Sequence, residues 1–179
     1  GHPVFEIPIQ PPSIPGMRLN AQLTRMASAK ARVILGSPLT AIHAADGRIQ
    51  SVDYASAGRA TRVETRAVIL AAGGFESGAL ELDSYGAVAD TVCGLPVMGP
   101  TGQLLHADFW GDEQPLFLAG LAVDDSMRVV DDNGTPVYTN LFAAGGNLAG
   151  ATRWREKSGE GIALASALAA VDSIVEELK

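Results

Sequence analysis

The chain is short of cysteine, of aromatic rings, of charge and of long apolar runs. Cys93 is its single cysteine, so no internal disulfide can form and a reducing compartment is expected. Nothing near it in sequence would lower a thiol pKa, and Cys93 reads as a small core residue. Basic residues number 13 against 20 acidic ones, a net charge of −7. That excludes a nucleic-acid surface, which needs a basic footprint. No apolar run approaches the roughly 20 residues of a membrane-spanning helix. His43 and His106 lie far apart, with no carboxylate or second histidine at ligand spacing. They read as solvated or hydrogen-bonded side chains, and no metal is expected. No Ser/His/Asp or Cys/His grouping points to a hydrolase.

What is present is a globular composition, 47% hydrophobic over 179 residues, enough for one domain with a real core. The chain opens Gly1-His2-Pro3 without a methionine. Gly1-His2 reads as an added leader, and 1–179 as one domain cut from the C-terminal part of a longer protein. Five prolines (Pro3, Pro8, Pro11, Pro12, Pro15) make 3–15 an extended lead-in, because proline fixes φ and removes donors. Its apolar residues imply either packing against something or a linker at a domain edge.

Apolar spacing predicts a helix over 16–31 and strands at 32–35, 39–44, 49–55 and 61–65. Asp46-Gly47 supplies the hairpin turn between the second and third strands. The β-meander over 32–66 reads most simply as a surface sheet without chemistry. Segment 76–120 is punctuated by turns, with a short helix expected near Leu80 and a polar-aromatic patch at 108–112. It is taken as a substrate-side segment. Leu118 to Val137, with alternating valines from Val123 and its Asn133-Gly134 turn, predicts a strand pair.

Two stretches share one form. Ala67-Val68-Ile69-Leu70-Ala71-Ala72-Gly73-Gly74 and Asn140-Leu141-Phe142-Ala143-Ala144-Gly145-Gly146-Asn147 are unbroken apolar runs ending on paired glycines. Such runs are strands buried on both faces, and parallel strands would set the two glycine turns side by side. Ser158 is placed to cap a following helix that begins Gly159-Glu160-Gly161. Strand, glycine turn and helix start then collect unpaired N–H groups suited to an anionic or electron-rich ligand. The plainer alternative is a strand–loop–helix corner with glycine caps. Arg153 and Arg155 flank Trp154 just before that helix. They either grip a phosphate or carboxylate or pair with Glu156, Glu160 or nearby acids.

The run from Val123 through Asp132-Asn133-Gly134-Thr135-Pro136 to Gly146 resembles the second flavin-binding motif of the fumarate reductase/succinate dehydrogenase-type flavoproteins. Ala67 to Gly74 is similar to the strand these proteins place beside the cofactor. Within them, Phe5-Glu6-Ile7-Pro8, Pro11-Pro12-Ser13, Gly16-Met17-Arg18-Leu19 and Trp154 to Gly161 resemble the B-subunit family of anaerobic glycerol-3-phosphate dehydrogenases. The resemblance implies an α/β chain, a partial FAD/NAD(P)-binding-type fold with a β-meander and a C-terminal helix. It implies a flavin, FMN or FAD, held by Gly73, Gly74, Gly145, Gly146, Asn147, Gly159, Glu160 and Gly161, with Arg153 and Arg155 toward the substrate. One departure stands out: the Gly-x-Gly-x-x-Gly turn that takes the cofactor pyrophosphate is missing. The first βαβ unit is therefore expected outside these residues, and this stretch alone is expected to be inactive.

The implied reaction is oxidation of glycerol 3-phosphate to dihydroxyacetone phosphate. Electrons would pass to a quinone through catalytic and membrane-anchoring partner subunits. The implied location is cytoplasmic, or peripheral on the inner face of the cell membrane through a partner. Two rivals stand beside it: a related flavin enzyme acting on another small substrate, and a non-catalytic scaffold that binds its partner through the proline-rich edge. Flavin absorbance separates the scaffold from the enzymes, and reduction by glycerol 3-phosphate separates the enzymes from each other.

Overall fold

The computed structural model describes residues 2–5, 7, 13–56, 58–100 and 102–179, with no side-chain placement for Trp154. Most of the 6–12 lead-in, including Pro8, Pro11 and Pro12, lies outside the described residues. The chain divides into two units, 1–37 and 38–179.

The first unit is built on helix α1, Ile14–Ser28. The Ser13 Oγ accepts from Gly16 N–H at 3.1 Å, and Pro15 sits in the first turn, where its missing N–H is harmless. No residue of α1 is buried. The strand expected at 32–35 does not form. A strand is defined by a partner ladder, and none reaches this stretch among the described residues.

The second unit opens with the expected meander: β1 (Leu39–Ala45), β2 (Arg48–Ser56) and β3 (Arg59–Glu64), antiparallel in that order. Asp46 and Gly47 both have positive φ, 52° and 70°, the turn that matches strand twist. On its face Arg62 forks onto Asp53, with Nε–Oδ1 at 2.8 Å, while His43 Nε2 lies 2.8 Å from Asp53 Oδ2. Arg62, then His43, hold the Asp53 carboxyl far below its ordinary value.

Beyond the meander, β4 (Val68–Leu70) pairs in parallel with β7 (Leu141–Ala143), in register Val68↔Leu141. The two similar runs are thus neighbours, as their shared form predicts, although each strand is three residues long. Val68 and Leu70 bond to β7, so the backbone groups of Ile69 face the opposite edge, where no described strand pairs with them. Between them β5 (Leu80–Leu82) and β6 (Val88–Asp90) form a small antiparallel hairpin, where a short helix was expected. The 118–137 region carries isolated bridges, Val123↔Val129 and Val130↔Pro136, in place of regular strands. The core gathers Ile49, Leu70, Leu95, Leu121, Val129, Leu141 and Ala143, with half-buried Cys93 packed against it. Burial, with Asp90 nearby, raises the Cys93 thiol to about 11. A short helix α2 (Arg153–Glu156) and a long one, α3 (Gly159–Glu177), complete the mixed α/β chain. No described helix is long and apolar enough to cross a membrane.

Asn140 joins these parts. Its side chain is 1% exposed. Its Oδ1 accepts from Ile49 N–H at 2.8 Å, and its Nδ2 donates to the carbonyls of Ile49 and Arg66, both at 2.9 Å. Its own carbonyl accepts from Val68 N–H. Asn140→Ala would strand the buried N–H and carbonyl of Ile49, each worth about 1–3 kcal/mol when unpaired, while the Arg66 carbonyl keeps Arg48 Nη2 at 2.8 Å. Loss of at least about 2 kcal/mol in urea unfolding is expected, and an unchanged midpoint would refute the clamp. A depressed carboxylate stabilises the fold above its unfolded pKa and loses that contribution as pH falls below it. The unfolding midpoint is therefore expected to drop more steeply from pH 5 to pH 2 in the natural chain than in Asp53→Asn; parallel curves would show that the Arg62–Asp53–His43 cluster adds nothing.

Candidate functional site

The two glycine turns meet. A Cβ built on Gly74 would lie 2.7 Å from the Gly146 carbonyl oxygen, and one on Gly146 would lie 3.5 Å from the Gly73 carbonyl carbon. Both turns need glycine for conformation too, since Gly73 has φ 84° and Gly145 φ 81°. Gly145 to Asn147 form a single 3-10 turn at the end of β7. Gly145 N–H donates to Ser166 Oγ at 2.9 Å, which fixes the glycine turn against the second turn of α3.

Asn147 is 2% exposed, and its Nδ2 donates to the Leu70 carbonyl at 3.0 Å, tying the second glycine turn to the end of β4. Its Oδ1 is buried without a partner among the described residues. The side chain expected to face a ligand therefore spends its donor on the fold.

Ser158 does not cap α3. Its φ of −108° and ψ of 15° point the hydroxyl elsewhere, and it donates to Glu156 Oε2 at 2.9 Å. Thr152, then Ser158, hold the Glu156 carboxyl below its ordinary value. The N–H groups of Gly159, Glu160 and Gly161 are left without a backbone partner among the described residues. Around Gly159 and Gly161 nothing lies within 4 Å of a built Cβ. The helix start is open, whereas the glycine pairs are closed on each other.

Arg153 lies over that closed junction. Its Nη1 would be 2.8 Å from a Cβ on Gly146, and its Nη2 3.0 Å from one on Gly74. The same Nη2 reaches Glu76 Oε2 at 3.2 Å. The Glu76 carboxyl is held below its ordinary value by its own backbone N–H first and Arg153 second, against opposing desolvation. Glu76, Phe117, Ala151 and Arg153 line a cavity of about 270 Å³. Arg155 turns away and donates to the Gly111 carbonyl. Neither arginine takes the expected partners Glu156 or Glu160; Arg153 reaches 77 residues back along the chain for its carboxylate. A polar depression of about 790 Å³ on the meander, lined by Gln50, Ser51, Arg62, Glu64, Thr65 and Arg66, is larger. It brings together no pair of backbone turns, and its arginine at 62 is committed to Asp53.

Segment 76–120, the expected substrate side, is held by buried polar side chains. Asp90 accepts from the N–H groups of Val92, Cys93 and Leu95. Gln114 joins His106 N–H to the Asp108 carbonyl. Gly120, which no sequence motif marks, is a close approach as well: a Cβ there would lie 2.6 Å from the backbone of 147–149. The only sequence signal for it is a glycine inside an apolar run, Leu118-Ala119-Gly120-Leu121.

Gly74→Ala forces backbone against backbone, and overpacking of that kind costs about 1–3 kcal/mol. Gly161→Ala meets open space inside a helix and is expected to be neutral or stabilising by up to about 1 kcal/mol. Thermal melts of the two variants side by side check the contrast; equal shifts would contradict the packed junction.

Among known proteins, a family model described as FAD binding domain matches residues 1–162. The B subunit of a probable anaerobic glycerol-3-phosphate dehydrogenase from Halobacterium salinarum is 29% identical over 99% of this chain and 42% of its own length. The B subunits of the anaerobic glycerol-3-phosphate dehydrogenases of Glaesserella parasuis and Yersinia pseudotuberculosis are each 26% identical, over 96% and 99% of this chain and 41% and 42% of theirs. The chain thus spans about two fifths of the length of these curated relatives. No solved structure matches it. The match across most of its length shows that this chain belongs to the FAD-binding domain family, whose cofactor is the flavin FAD.

Proposed function

We propose that these residues are the C-terminal part of a longer flavoprotein, a dehydrogenase that oxidises glycerol 3-phosphate to dihydroxyacetone phosphate. Electrons then leave toward a quinone through partner subunits. The observation that carries the reading is the meeting of the 73–74 and 145–146 turns, packed against α3 at Ala163 and Ser166 below its open start, in a chain whose family takes FAD.

The residues present fit part of that cofactor. Three free N–H groups and the positive end of a 19-residue helix suit an electron-rich ring edge. Gly159 and Gly161 leave room for close approach. The closed glycine junction acts as the rigid backing that holds this helix start in place, so Gly73, Gly74, Gly145, Gly146 and Asn147 act on the cofactor through position. Gly159, Glu160 and Gly161 offer the contact. When bound, FAD supplies the hydride acceptor. Arg153, on the wall of the 270 Å³ cavity, supplies the cation for the substrate phosphate. Arg155 holds the 108–112 loop through Gly111 and stands beside it as a second candidate.

The test uses the polypeptide at the length of its relatives. It is expected to be yellow and to bleach under anaerobic glycerol 3-phosphate. Gly161→Val is expected to lower flavin content at least fivefold without a loss of helix in circular dichroism. Arg153→Ala is expected to raise KM for glycerol 3-phosphate at least tenfold, and Arg155→Ala to raise it less. A colourless protein after flavin reconstitution would overturn the flavin reading; a yellow one unmoved by glycerol 3-phosphate would overturn the substrate.

A further inference from the structure

Helix α3 is apolar nearly all round, yet only Ser166 and Ala170 are buried. Its outward side carries Leu164, Leu168, Val171 and Val175, exposed by 65, 56, 44 and 50%. The spacing i, i+4, i+7, i+11 makes one straight stripe about 16 Å long. A small residue, Ala165, lies beside it. A stripe of this kind, with a small residue that admits a close neighbour, is the surface that ridges of a second helix pack into. One margin is acidic: Asp172 and Glu176 are exposed beside the stripe and form no ion pair among the described residues. Glu177, on the inner side, is the one that meets a cation, Arg128 at 3.7 Å.

We infer that this face is the seat of a helix with an apolar stripe and lysine or arginine on the flank that meets Asp172 and Glu176, supplied by the part of the longer polypeptide outside these 179 residues. The inference rests on the reading of the chain as part of a longer protein, and not on its substrate or its flavin. Two facts select this occupant. The curated relatives carry more than half their length beyond what this chain spans. The carboxylates along the stripe complement a basic flank and repel a second copy of a chain of net charge −7. They repel an anionic lipid surface equally.

The probe is a 20-residue helical peptide with a leucine stripe and lysine flanks, fluorescently labelled, beside a twin with glutamate flanks. The 179-residue chain is expected to bind the lysine form at least tenfold more tightly than the twin. Leu164→Gln with Leu168→Gln is expected to weaken that binding at least tenfold, while circular dichroism stays unchanged. Asp172→Asn with Glu176→Gln is expected to narrow the gap between the peptides. In the full-length polypeptide the lysine peptide is expected to lose its site, whether or not that protein is yellow. Equal binding of the two peptides, binding that survives the glutamine pair, or a sedimentation dimer lost in that pair would overturn the inference. So would undiminished peptide binding to the full-length polypeptide, which would leave the face to a separate partner.

Discussion

The structure hangs on one buried amide. Asn140 satisfies both backbone groups of Ile49 and the carbonyl of Arg66, and its own carbonyl receives Val68. The buried N–H and carbonyl of Ile49 are thereby paired, in a place where an unpaired group would cost about 1–3 kcal/mol. The clamp sets the height of the meander against β7, and β7 sets that of β4. The positions of both glycine turns follow from it.

At those turns the constraint is steric. Backbone approaches backbone at Gly74 and Gly120, where a single methyl would crowd main-chain atoms, and at Gly146 it would crowd the Arg153 guanidinium. The glycines that look like a ligand cradle in sequence close chiefly on each other, with Arg153 across the seam. The open part of the site is the helix start behind them. Ser166 and Asn147 link the two, the first through Gly145 and the second through Leu70. An ion pair that joins residues 76 and 153 lines the neighbouring cavity.

The same helix faces two ways. Its inner side is fixed by Gly145–Ser166 and by Arg128–Glu177; its outer side is apolar and acidic and has no cover of its own among the described residues. A parallel pair with an open edge at Ile69 and a helix exposed on one side are parts of a layered α/β arrangement, in a chain that spans two fifths of the relatives' length.

Local chemistry alone decided a good deal. Asp46-Gly47 set the hairpin, alternation set β2 and β3, unbroken apolar runs marked β4 and β7, and apolar spacing marked α1 and α3. Each of these rests on dihedral preference or periodicity within a few residues. The parallel contact of the two Ala-Ala-Gly-Gly runs was legible too, because their like form implied a shared layer. What only the tertiary structure decided involves partners far apart in the chain. Residues 32–35 have strand composition but no ladder, and Leu80 joins a hairpin in place of a helix. Segment 76–120 owes its shape to Asp90 and Gln114, whose side chains replace a regular pattern. Ser158 turned from the helix it was placed to cap to Glu156, and Arg153 took Glu76 over its sequence neighbours. Sequence periodicity reports which face a residue shows; it carries no record of which distant carboxylate, amide or carbonyl will be waiting there.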